Sequence, residues 1–126
     1  MKKAIRSLLL AGLIIPSAAY AQQDSGEIGY HQGALGYDAL VSGDYKKAEA
    51  QIEKSVENHG NDPAKMINLG IIYMNTRRTA EGESLLTAAA NSRDHFPLIL
   101  ADGREMDSRQ VARLALAQTR NEIASR

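Results

Sequence analysis

The chain has no cysteine in its 126 residues. That excludes disulfides, thiol redox chemistry and a lipid-modified N-terminal cysteine, so packing alone must hold the fold together. A surplus of positive charge is also lacking: the formal net charge is +0, whereas a nucleic-acid-binding domain carries a basic excess. No apolar run approaches the about 20 residues that span a bilayer, because Leu8 to Ile15 stops at Pro16-Ser17. A Gly-x-Ser-x-Gly motif is missing, and Ser84 and Ser92 stand in no nucleophile pattern. Asp102, the remaining candidate acid, is followed by Gly103, and turn chemistry explains that pair fully. No catalytic residue is assigned, and the expectation is that the protein is not an enzyme.

What is present begins with an export signal. Lys2, Lys3 and Arg6 precede the apolar core, and Ala19-Tyr20-Ala21 supplies a small-x-small cleavage pattern. Residues 1–21 are therefore expected to be a signal peptide cleaved after Ala21, with the membrane met only through that transient segment. Removing 21 of 126 residues leaves 105, room for one domain and not two. Without Lys2, Lys3 and Arg6 the balance is 12 basic against 15 acidic residues, a net of −3. Residues 22–29 are polar and glycine-containing, with Ile28 as their one aliphatic residue, and read as a flexible tail.

From residue 30 the chain repeats itself. Leu35-Gly36 recurs as Leu69-Gly70, 34 positions later, and the same register pairs Ala48 with Gly82, Ile52 with Leu86, Ser55 with Ala89, and Ser42-Gly43-Asp44 with Thr76-Arg77-Arg78. A helix pair of that length cannot bury its apolar face alone and must stack on a neighbour. Apolar spacing predicts helices over Tyr30 to Val41, Tyr45 to Asn58, Pro63 to Asn75 and Thr79 to Asn91. Gly33 and Gly36 each weaken the first by about 1 kcal/mol relative to alanine, which calls for a close approach of the paired helix. His59-Gly60 ends the second helix, and Asp62-Pro63 suits the cap and first turn of the third. The third helix is apolar on most sides and should be the most buried element. Gly82 and Ala48 mark where the helices of each pair come closest.

The period fails after Ser92, since 34 residues beyond Gly70 stands Arg104. Pro97 to Leu100 and Glu105-Met106, around Asp102-Gly103, predict a β-hairpin. Asp107 or Ser108 then caps a last helix from Arg109 to Ser125. On its wheel Arg109, Arg113 and Arg120 share one side, read as a solvated face, and Val111, Ala112, Leu114 and Ala115 lie away from it. His31 lies on the first helix, while His59 and His95 lie about one repeat apart in loops, with Asp62 and Asp94 nearby. That spacing separates the two loop imidazoles by roughly 10 Å, as between packed helices, and no i, i+4 ligand pair exists. Exposed loop histidines are expected, with no metal and no cofactor.

This content resembles the tetratricopeptide repeat family. The resemblance rests on Leu69-Gly70 with Tyr73, Leu86 and Ala89, and on Leu35-Gly36 with Gly43-Asp44-Tyr45, Ala48 and Ile52. It covers about residues 29 to 92, with departures at Gln32, Ala39 and Gly82. It implies an all-α fold: two repeats over residues 30–92, followed by the hairpin and a capping helix over 93–126. It further implies a concave groove lined by Tyr30, Tyr37, Leu40 and Val41 of the first unit and Ala64, Ile67, Asn68, Ile71, Met74 and Asn75 of the second. Within the third helix, Leu69, Gly70 and Tyr73 are expected to hold the stack and Ile71 and Met74 to remain free for a ligand. Asn68 matches the asparagine of the carboxylate clamp found in some members, but Gly33 and Tyr37 stand where that clamp needs basic and asparagine side chains, which excludes it.

The expected function is a non-catalytic scaffold of the bacterial cell envelope, periplasmic, binding a protein or peptide. Two rivals are an envelope accessory protein that takes a small ligand or metal through its loops, and a module that self-associates as a homodimer through the Leu98 to Leu100 strand edge.

Overall fold

The computed structural model describes Tyr30 and residues 33–55, 61–100 and 102–125. The signal peptide with its cleavage site at Ala21, the 22–29 tail, His31, Gln32, and the helix end at Asn58-His59-Gly60 lie outside the described residues. The described elements run α1 (Tyr37–Val41), α2 (Tyr45–Ser55), α3 (Pro63–Asn75), α4 (Thr79–Ala90), β1 (Pro97–Ile99), β2 (Glu105–Asp107) and α5 (Ser108–Ala124). Helices dominate, and one antiparallel hairpin interrupts them.

The first helix is shorter than its spacing suggests. Residues 33–35 form a turn instead of helix, because Gly33 (φ 82°) and Gly36 (φ 62°) both take the left-handed conformation. Gly36 is also where α1 and α2 touch: a Cβ there would lie 2.9 Å from the Ala48 carbonyl oxygen. The same contact recurs 34 residues on, where a Cβ on Gly70 would lie 2.7 Å from Leu86 Cγ and one on Gly82 would lie 2.8 Å from the Gly70 carbonyl oxygen. The turns between paired helices correspond too, since Gly43 (φ 81°) and Arg77 (φ 68°) occupy the same left-handed position.

α3 is the centre of the fold. Asp62 accepts hydrogen bonds from the backbone N–H groups of Ala64 (2.8 Å) and Lys65 (3.4 Å), and Pro63 opens the first turn. Nine of its 13 residues are buried, more than in any other described helix. One of them is Lys65, whose ammonium donates to the Ser55 carbonyl at the end of α2, where a helix terminus favours a cation. α4 lies along α3, and α5 packs against both.

The hairpin forms in the register Pro97↔Asp107, Leu98↔Met106 and Ile99↔Glu105. Gly103 (φ 87°) makes its turn, and Leu98 and Leu100 point into the helical core, which anchors a hairpin that would be marginal alone. Asp107 caps α5 by accepting from the Arg109 N–H at 2.9 Å. Ser108, Val111, Ala112, Ala115 and Thr119 form the buried face of α5. Leu114 departs from expectation at 38% exposed. At 100° per residue it sits roughly 115° from the middle of that arc, so packing on α4 leaves it outside. Among the described residues no helix is long and apolar enough to cross a membrane.

Candidate functional site

Most of the expected concave groove is filled in. Leu40 (0% exposed), Asn68 (0%), Ile71 (1%) and Met74 (1%) are buried, as are Ala64 and Ile67, so their side chains offer no surface to a partner. Asn68 donates from Nδ2 to the Leu35 carbonyl at 2.9 Å, tying α3 to the turn before α1. Met74 packs on Gly82, within α3–α4. Tyr30 is half-buried and donates its hydroxyl to Asp62 at 2.8 Å, so it fastens the start of the described chain to the cap of α3. Burial and the Asp62 charge push its pKa well above the ordinary tyrosine value. Tyr37, Val41 and Asn75 are half-buried, with Asn75 Nδ2 donating to the Ile71 carbonyl at 2.8 Å.

Within α3, Gly70 holds the stack as expected, against Leu86 and Gly82 of α4, but the roles of the larger side chains differ. Ile71 and Met74 hold the stack, while Leu69 and Tyr73 remain half-exposed and line an open groove of about 450 Å³ with Ala80, Glu81, Ser84 and Leu85 of α4. The groove exists because α4 presents the small Ala80 and Ser84, one turn apart, opposite the larger Leu69 and Tyr73. Leu85 supplies the second aliphatic wall.

Charge is placed at one end. The Arg78 guanidinium carbon lies 3.8 Å from the centroid of the Tyr73 ring, and the same group pairs with Glu49 of α2. Burial raises the Tyr73 pKa; Arg78 opposes that shift, and Glu49, Glu53 and Glu81 reinforce it. Tyr73 therefore keeps its proton at neutral pH and offers a ring face and a hydroxyl donor. The apolar walls suit the groove to recognition of an apolar group.

The other candidates are tied into the fold. His95 Nδ1 lies 2.6 Å from Asp107 Oδ2, joining the approach to β1 with the cap of α5. Among the described residues no three histidine, aspartate or glutamate side chains gather where they could hold a metal ion. Ser92 Oγ donates to the Asp94 carbonyl in a turn. The arginines of α5 have acceptors: Arg109 pairs with Asp107 at 3.6 Å, Arg120 with Glu83 at 2.7 Å, and Arg113 donates to the Ala90 carbonyl at 3.5 Å. In comparisons with known proteins, no family model, curated protein or solved structure matches the chain.

Proposed function

We propose that the chain is an exported, non-catalytic protein of the bacterial envelope, built from two tetratricopeptide-like units, that binds a protein or peptide segment in the α3–α4 groove. The observation that carries this reading is the groove itself: Leu69, Tyr73 and Leu85 remain partly accessible side by side along one open cleft between α3 and α4. Inserting one apolar side chain between them removes apolar area from water at about 25 cal/mol per Å². Two units fall short of the roughly three that a stack needs. α5, packed on α3 and α4 with the hairpin against it, takes the place of the third. The units are supported by paired contacts at the 34-residue spacing, Gly36 on Ala48 and Gly70 on Gly82, and by the matching turns at Gly43 and Arg77.

Photo-crosslinking from a probe at Ser84 in envelope extract tests the site. A partner is expected on the native protein and is lost with Leu69→Ser plus Leu85→Ser, while Tyr37→Ala plus Asn75→Ala retains it. Loss with the second pair alone places the binding face on the first helices and refutes the α3–α4 groove. Far-ultraviolet circular dichroism of each variant checks that the fold is intact.

A further inference from the structure

We propose that the segment received by the α3–α4 groove is cationic, an apolar side chain flanked by lysine or arginine. This rests on the groove reading above and adds the charge of the partner.

The floor, made by Leu69, Tyr73 and Leu85, accepts an apolar side chain of either charge context. The rim does not. The charged groups acting on the Tyr73 hydroxyl are the carboxylates of Glu49, Glu53 and Glu81 and the guanidinium of Arg78, three negative against one positive. Arg78 is engaged twice, by Glu49 and by the ring of Tyr73, so part of its charge is already met within the fold. Glu81 lines the groove directly, and both it and Glu53 are exposed and in no ion pair among the described residues. A lysine or arginine beside the inserted side chain meets Glu81 on the groove wall and lies in the field of Glu53, whereas an acidic residue there is repelled by both. Each such rim pair is weak and screened by salt, which predicts selection by charge sign and not great strength.

The test uses the full chain after export processing and three capped hexapeptides: Gly-Lys-Leu-Leu-Arg-Gly, its twin with glutamine at both basic positions, and its twin with glutamate there. Binding is followed through the methyl resonances of Leu69 and Leu85, assigned with Leu69→Ile and Leu85→Ile. The basic peptide is expected to shift both methyls and to bind roughly fivefold tighter than the glutamine twin, with the glutamate twin weakest. The preference should shrink toward unity in about 0.5 M salt and in Glu53→Gln plus Glu81→Gln. Equal binding of all three peptides with the same methyl shifts overturns the charge inference and leaves the groove intact. No methyl shift with any peptide overturns both.

Discussion

Replacing Gly82 with alanine sets two effects of opposite sign against each other. Within a helix, glycine to alanine is worth about 1 kcal/mol of stability by propensity. At this position, however, the new Cβ would lie 2.8 Å from the Gly70 carbonyl oxygen, 2.8 Å from the Met74 nitrogen and 2.8 Å from Met74 Cγ. Carbon contacts are favourable at about 3.5–4.0 Å, and two of the three atoms are backbone of α3, so side-chain rotation alone cannot make room. α3 must move away from α4 by on the order of half an ångström, and a gap of that size forfeits a quarter or more of each facing contact. Overpacking of this kind costs about 1–3 kcal/mol. Set against the propensity gain of about 1 kcal/mol, the net destabilisation is about 0–2 kcal/mol, with a fall in Tm of roughly 4–8 °C for each kcal/mol. Urea unfolding followed by circular dichroism measures it, with Ala50→Gly on the exposed face of α2 reporting the propensity term alone. A Gly82→Ala variant more stable than the parent by about 1 kcal/mol would refute the close approach of α3 and α4.

Two further perturbations follow from the backbone and the hairpin. Arg77→Gly removes a side chain from a left-handed position at φ 68°, a conformation costing L-residues about 1–2 kcal/mol. Less the extra chain entropy of glycine, it should raise the urea midpoint by about 0.5 kcal/mol equivalent; Gly43→Ala, at the matching position of the first unit, should lower it, and equal effects of one sign would refute the correspondence. The Asp107 carboxyl is held below its ordinary value of 3.8, first by His95 and then by the Arg109 N–H. Because the folded value is the lower one, the unfolded chain binds the proton more readily. The contribution is thus present above about pH 4 and is lost as pH falls through the folded value. Asp107→Asn keeps a cap for α5 and should flatten the decline in stability below about pH 4; an unchanged acid limb counts against the His95 contact.

The local features of the chain were legible in its residues because each has a short-range cause. Asp62-Pro63 starts α3, Asp102-Gly103 turns the hairpin, and Asp107 caps α5, each using atoms within a few residues. The 34-residue echo located the close contacts at Gly36 and Gly82 because absence of a Cβ is written in the sequence. The extent of the first helix was not legible. Gly33 and Gly36 are compatible with helical and left-handed backbone alike, and the press of α1 on α2 accompanies the second choice.

Nor could the residues of the groove be read in advance. α3 is apolar nearly all round, so helical periodicity could say that it is buried but not which of its apolar side chains remain outside. By itself the sequence determined a row of helices, their caps and turns, and a central one too apolar to lie on the surface. Only the tertiary structure decided that Ile71 and Met74 are enclosed while Leu69 and Tyr73 face the groove. That choice depends on how α2, α4 and α5 surround α3, and in particular on the small Ala80 and Ser84, whose lack of bulk matters only once α4 is laid beside α3.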